Sequence, residues 1–141
     1  MNAPLPATIF KAYDIRGIVG TTLTADIVCQ IGHGLGSLAV ERGQRAIAVG
    51  RDGRLSGPEL SAALMEGIRR AGIDTVDVGC VPTPVVYFAA HELGCQSCVA
   101  VTGSHNPPDY NGLKMVIGGE TLAGETIQAI RQRVDAGRLS H

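Results

Sequence analysis

The sequence has few aromatic residues, no tryptophan and only two lysines, Lys11 and Lys114. Aromatic residues make up 4% of the chain, whereas hydrophobic residues make up 45%. The interior must therefore be built from valine, isoleucine, leucine and alanine. Because 141 residues are enough for one domain with a hydrophobic core, we expect a single domain over residues 1–141.

The sequence also lacks an excess of charge of either sign. Its net charge is −1, and both signs are scattered, which argues against a surface for nucleic acid or membranes. No apolar run approaches membrane-spanning length. Residues 1–8 lack the basic and apolar regions of a signal peptide. We expect a cytoplasmic protein with no nucleic-acid or membrane partner.

The four cysteines do not form a recognisable metal or disulfide pattern. Cys95 and Cys98 have C-x-x-C spacing, but a zinc site would need a second ligand pair, and Cys29 and Cys80 are not spaced to supply one. Cys98 falls in an apolar run. We predict that all four are buried, reduced thiols with a structural role, as is usual in the cytosol.

The 19 glycines separate apolar segments of alternating helix and strand character. Helices are predicted at about 25–42, from a capping box at 56–59 to Gly72, from Thr83 to Gly94, and at about 122–136. Strands are predicted at 46–50, 75–79, 97–101 and 113–117. In the third helix, the residues predicted to face inward are Val85, Phe88, Ala89 and Leu93.

Repeated strand-helix-strand units predict parallel strands joined by right-handed crossovers. The link from Val101 to Leu113 has no helical pattern, so the last of these strands is expected to run antiparallel to its neighbour. The predicted fold is an α/β class, three-layer α/β/α sandwich with a mostly parallel sheet and one antiparallel strand.

Three loops are expected to meet at the carboxyl edge of this sheet, where open α/β sheets bind ligands. They follow strands predicted to end near Ala12, Gly50 and Val101. The polar side chains that they would bring together are Tyr13, Arg16, Arg51, Arg54, Ser104, His105 and Asn106. A basic edge with a hydroxyl group suits a phosphate ester.

The loop at residues 102–111 carries the most informative pattern. Gly103 would permit an unusual backbone beside Ser104, and two prolines would stiffen the loop. A stiff loop suits a reactive oxygen that must be held in place. The G-x-S-x-G pattern of a serine hydrolase is absent. A polar turn without chemistry remains the structural alternative.

Two other motifs have plain structural explanations. Gly-His-Gly-Leu-Gly at 32–36 lies inside a helical pattern, so close helix packing explains it better than nucleotide binding. The turn Arg-Asp-Gly-Arg at 51–54 could be an ion-pair turn or a phosphate contact, and a structural role is favoured for Arg51 and Asp52.

Three motifs in order give the sequence a resemblance to the α-D-phosphohexomutases. Thr-Gly-Ser-His-Asn-Pro at 102–107, with Asn-Gly-Leu-Lys at 111–114, resembles the phosphoserine loop of that family. Residues 11–17 and 50–57 resemble two further motifs of the family. The Thr-Gly-Ser-His form is most similar to the bacterial phosphomannomutase/phosphoglucomutase branch, which implies the N-terminal, phosphoserine domain of such a mutase.

The resemblance implies that Ser104 is phosphorylated and gives its phosphoryl group to a hexose 1-phosphate. A bisphosphate intermediate would turn over in the site and return its other phosphate to the serine. A phosphoserine oxygen at Ser104 would be one ligand of Mg²⁺, and an activator of the glucose 1,6-bisphosphate type would restore the phosphate.

The resemblance also implies roles for the surrounding residues. Lys114 would serve in proton transfer at the substrate hydroxyl, and Arg16 and His105 would support that step electrostatically. The residues implied to bind the sugar phosphate are Tyr13, Arg16, His105, Asn106 and Lys114.

The family's enzymes have four domains, and the resemblance covers only the first. The sequence has no Asp-Gly-Asp-x-Asp metal loop and no Gly-Glu-x-Ser sugar-reading loop. The expected partners are a sugar phosphate and the remaining domains of the same polypeptide, and this domain is expected to be inactive alone. The alternative is a free-standing phosphosugar-binding or regulatory domain without turnover.

Overall fold

The computed structural model describes residues 5–141. The part of the signal-peptide prediction that concerns residues 1–4 lies outside these residues. The helices are α1 (Ala25–Glu41), α2 (Gly57–Arg70), α3 (Thr83–Glu92) and α4 (Glu125–Asp135), after a short 3-10 helix at Ala7–Ile9. The strands are β1 (Ile15–Ile18), β2 (Ala46–Arg51), β3 (Asp74–Cys80), β4 (Cys98–Val101), β5 (Tyr110–Ile117) and β6 (Glu120–Thr121).

The strands form one mixed sheet in the order β1-β5-β4-β2-β3, with β6 paired to β5. Strand β2 is parallel to both β3 and β4. Strand β5 is antiparallel to β4 and β1, so it alone runs against the others in that order. The prediction of a mostly parallel sheet with one antiparallel strand is confirmed.

Helices lie on both faces of the sheet, but they cover them unequally. Helices α1, α2 and α4 pack together over one face and enclose the main core, which includes Leu35, Leu64 and Leu113. Helix α3 packs on the other face through Val86 and Ala90, against β2 and β4. The three layers predicted from the sequence are present. The part of the second face over β5 has only partial cover, and Lys114 and Val116 are half-buried there.

The predicted inward face of α3 is wrong. Val86 and Ala90 are buried, whereas Val85, Phe88 and Leu93 are exposed to 39%, 64% and 56%. Ala89 is half-buried. The helix is apolar nearly all round, so the sequence pattern does not distinguish the side that meets the sheet.

Two local predictions also need correction. No strand ends near Ala12. Instead, β1 begins after the turn at residues 11–14, where the Lys11 N–H donates to the Asp14 carbonyl over 2.9 Å. The capping box at 56–59 does not form, because Ser56 has helical backbone angles and makes no side-chain cap. Its hydroxyl instead accepts a hydrogen bond from the Asn111 amide over 2.8 Å.

The cysteines are only partly as predicted. All four are free, but Cys29 and Cys98 alone are buried, while Cys95 is half-buried and Cys80 is exposed. Cys80 lies at the end of β3, which is an edge strand of the sheet. Within residues 5–141, no helix is both long enough and apolar enough to cross a membrane.

Candidate functional site

The site is organised where the parallel strands β2 and β4 end side by side. Arg51 and Val101 are register partners, and the Asp52 N–H donates to the Val101 carbonyl over 3.0 Å. The turn after β2 therefore meets the loop after β4, because parallel neighbours end at the same edge of a sheet. This meeting of two loops was predicted from the sequence.

The Asp52 carboxylate holds the start of the serine loop. Its Oδ2 accepts hydrogen bonds from the Thr102 hydroxyl at 3.0 Å and from the Gly103 N–H at 2.9 Å. Its Oδ1 accepts the Arg54 N–H at 3.1 Å. The structural role favoured for Asp52 is consistent with these contacts. Arg51 reaches away from the loop and pairs with Asp77 at 3.4 Å.

Arg54 lies under the serine loop. Its guanidinium donates to the carbonyls of Ser104, Asn106, Pro107 and Tyr110 over 3.2, 2.7, 2.6 and 3.1 Å respectively. The turn at 51–54 was expected to have either a structural role or a phosphate contact. The contacts of Arg54 support the structural role, because they hold the neighbouring serine loop in place.

Ser104 is the only non-glycine residue of the described chain with a positive φ, at 52°. The side chain is exposed, and its own N–H donates to the Thr102 hydroxyl over 3.0 Å. The left-handed conformation is unfavourable for a serine and marks local strain, which is concentrated at functional sites. The unusual backbone expected at Gly103 thus occurs one residue later.

Gly103 is required for a different reason. A Cβ atom at this position would overlap Nε and Cζ of Arg54. The loop backbone therefore lies directly against the guanidinium, and only glycine leaves room for it.

The register of the sheet places Arg16 at the same edge. Arg16 pairs with Gly112, and the Gly112 carbonyl accepts the Thr102 N–H over 2.9 Å. Arg16 also lines a cavity of about 380 Å³ together with Lys11 and Asn106. The structure therefore brings two of the predicted site residues, Arg16 and Asn106, into one cavity that also has a second cation.

The other predicted site residues, His105, Tyr13 and Lys114, do not line this cavity. His105 is exposed next to Ser104, and Tyr13 is 79% exposed in the turn before β1. Lys114 lies well inside its strand and not near its start, because β5 begins at Tyr110 and not at the predicted residue 113. It lies opposite Ala100 of β4 and is half-buried on the sheet face that carries α3.

No role in the site was predicted for Lys11 or Thr102, and Asp52 was expected only to be structural. Lys11 lines the cationic cavity, and the Thr102 hydroxyl connects the Ser104 N–H to the Asp52 carboxylate. Their position in the sequence could have indicated them. The charged turn follows one parallel strand and the serine loop follows a neighbouring one, so the two segments meet at the same edge of the sheet.

Fold and site together define an α/β/α domain whose exposed serine sits on a braced loop at the ligand-binding edge of the sheet. A family model described as phosphoglucomutase/phosphomannomutase, alpha/beta/alpha domain I, matches residues 7–141. The chain belongs to this family, and it corresponds to the family's first domain.

Individual relatives agree with this assignment. A phosphomannomutase/phosphoglucomutase of Pseudomonas aeruginosa is 57% identical over 136 residues, which are 96% of this chain and 29% of that protein. A phosphoglucomutase of Neisseria gonorrhoeae is 56% identical over 91% of this chain and 28% of its own length. A crystal structure of a phosphoglucomutase/phosphomannomutase family protein from Burkholderia thailandensis superimposes with a TM-score of 0.92, at 52% identity, over 96% of this chain and 31% of that one.

Proposed function

We propose that this chain is the phosphoserine-bearing domain of a mutase that interconverts hexose 1-phosphate and hexose 6-phosphate of mannose or glucose. The observation that carries the proposal is Ser104, an exposed serine held in a left-handed conformation on a loop that Asp52 and Arg54 brace. The relatives are phosphomannomutases and phosphoglucomutases, which supports this reaction class. The chain spans 29% of the Pseudomonas aeruginosa relative, so turnover would need the rest of the polypeptide.

In the proposed reaction, Ser104 carries a phosphoryl group on Oγ. The P–O bond to Ser104 breaks as a P–O bond to a hydroxyl of the hexose phosphate forms, and the hydroxyl proton leaves with the help of Lys114. The resulting bisphosphate turns over and returns its other phosphate to Ser104. Phosphoryl transfer depends mainly on positioning and charge neutralisation, which an edge lined by cations and a fixed serine would supply.

The remaining site residues would neutralise charge and hold the sugar. Arg16 and Asn106 line the cationic cavity beside the loop and suit the phosphate of the substrate. His105 would donate to the phosphoryl oxygens from its exposed position beside Ser104. Tyr13 would contact the sugar from the turn before β1.

Magnesium does not fit this chain alone. Within residues 5–141, no group of three His, Cys, Asp or Glu side chains could hold a metal ion. Mg²⁺ requires near-octahedral oxygen ligands, and a phosphoserine at Ser104 would supply one of them. We propose that the other ligands come from further domains, with an activator of the glucose 1,6-bisphosphate type maintaining the phosphate and the whole enzyme acting in the cytoplasm.

The carrier role is tested by Ser104→Ala in the full-length enzyme. We expect loss of mutase activity towards mannose 1-phosphate and glucose 1-phosphate, and loss of the phosphate that mass spectrometry detects on the loop peptide. Thr121→Ala removes an exposed hydroxyl from β6 and should leave both signals unchanged. Near-normal turnover by Ser104→Ala contradicts the proposal. Hexose phosphate binding without any phosphate on Ser104 favours a binding domain instead.

A further inference from the structure

The four acceptors of Arg54 are main-chain carbonyls of the serine loop and of the strand that follows it. Those of Ser104, Asn106 and Pro107 lie in the loop, and that of Tyr110 lies at the start of β5, where the loop ends. A guanidinium has five N–H donors. The four donors on Nη1 and Nη2 serve these carbonyls. The Nε atom is 3.6 Å from the Asp52 carboxylate and lies against Gly103. The four Nη donors are therefore not free to bind the phosphate of a substrate.

The contacts also fix Ser104 from both sides. Its N–H donates to the Thr102 hydroxyl, and its carbonyl accepts from Nη2 of Arg54. Both peptide groups around Ser104 are therefore hydrogen-bonded. Without these hydrogen bonds, the loop would relax towards the backbone angles that serine prefers, because the left-handed region is unfavourable for serine. The Oγ atom would move with the backbone.

We infer that Arg54 is a positioning residue for phosphoryl transfer, one that holds Ser104 in its left-handed conformation and does not contact the substrate. This inference rests on the proposed carrier role of Ser104. Gly103 supports it independently, since any larger residue would overlap the guanidinium and prevent the loop from resting on it.

The test uses the full-length enzyme with Arg54→Lys and Arg54→Gln. Lysine keeps the charge, but its single ammonium group cannot reach four carbonyls at once. We expect both variants to lower kcat by about 100-fold, as a displacement of about 1 Å can do, and to change KM little. The rate at which dephosphorylated enzyme takes phosphate from glucose 1,6-bisphosphate onto Ser104 should fall in parallel. Hydrogen exchange of the Asn106 and Tyr110 amides should become faster in both variants.

Arg51→Gln is the matched control, since it removes the same charge from the same turn but breaks only the ion pair with Asp77. It should leave all of these measurements unchanged. The inference is overturned if Arg54→Lys keeps kcat within about twofold of the parent, because charge alone would then suffice. It is also overturned if KM rises while kcat is unchanged, which indicates direct substrate binding, or if neither variant folds, which indicates a role in global stability.

Failure of the carrier role is distinguishable from failure of this inference. If the parent enzyme never acquires phosphate on Ser104, the proposed function is wrong, whatever the Arg54 variants do. If the parent is phosphorylated, and the variants show faster amide exchange but are phosphorylated at the parent rate, only the positioning role is wrong.

Discussion

At the scale of single residues, the structure distinguishes two glycines that look alike in the sequence. A Cβ at Gly103 would overlap the Arg54 guanidinium, whereas a Cβ at Gly53 would meet nothing within 4 Å. Neither residue has a positive φ. We therefore expect Gly103→Ala to displace the loop and lower kcat of the full-length enzyme by about 100-fold.

Gly53→Ala is the control, because it makes the same change in open space. Steady-state kinetics of the two variants, with thermal unfolding as a check on folding, would compare them directly. Equal activity of the two would show that the loop can shift away from Arg54 without harm to Ser104, and it would weaken the positioning role as well.

The location of the Ser104 loop at the carboxyl edge of the sheet could be predicted from the sequence, but the part of Arg54 in holding that loop could not. The sequence shows Arg54 as one more cation at the edge of the sheet. Its use as a donor to four main-chain carbonyls depends on the path of a loop about 50 residues further along the chain. A contact of that kind has no local sequence signature, because carbonyl acceptors are the same in every residue.

At the scale of elements, α1 and α2 approach so closely that glycine is required where they meet. A Cβ at Gly67 of α2 would overlap the Cys29 carbonyl of α1, and a Cβ at Gly32 of α1 would overlap the Leu64 carbonyl of α2. The structure therefore agrees with close packing as the explanation of the glycine-rich segment at 32–36.

Gly67→Ala should force the two helices apart and lower the free energy of unfolding by about 1–3 kcal/mol or more, as overpacking does. Gly57→Ala makes the same change in the first turn of α2, where a Cβ meets its nearest atoms at an ordinary 3.4 Å. It should be close to neutral. Urea denaturation of both variants would measure the difference, and a neutral Gly67→Ala would mean that the helices can separate at little cost.

The wrong prediction of the buried face of α3 also arises at the scale of single elements. Hydrophobic periodicity identifies a buried face only when the opposite face is polar. Helix α3 carries Val85 and Phe88 outward and Val86 and Ala90 inward, so both sides are apolar. In α1 and α4, by contrast, the helical spacing of the apolar residues includes Ile31 and Ile127 in the inward stripe, and both are buried. The pattern predicted that a helix exists here, but not its orientation.

At the scale of the whole molecule, the parallel strands and the single reversed strand could be predicted from the connections between strands, but the strand order could not. Helical crossovers require parallel neighbours, and the helix-free link after Val101 allows the chain to turn back. The first strand could not be located in this way. Strand β1 is short and pairs with β5, which is distant in sequence, and the turn before it resembles a strand ending.

The stability of the whole domain should fall as the pH rises from about 9 to 11. Cys98 is 2% exposed, and burial, with a smaller contribution from nearby Cys95, raises the pKa of its thiol from 9.0 to about 11. The unfolded chain then loses this proton at lower pH than the folded one. The stabilisation is complete below the unfolded pKa and is lost as the pH passes through the folded pKa.

The loss due to Cys98 is at most about 3 kcal/mol, from a difference of about two pKa units. Burial also raises the pKa of Tyr87, which acts in the same direction, so a parent protein alone cannot isolate the thiol. Urea unfolding from pH 8 to 11 should therefore compare the parent with Cys98→Ala and with Cys80→Ala, which removes an exposed thiol. We expect Cys98→Ala to be less stable at pH 8 but to depend less on pH, while Cys80→Ala follows the parent. If all three show the same slope between pH 9 and 11, Cys98 titrates alike in the folded and unfolded states, and its burial does not protect the proton.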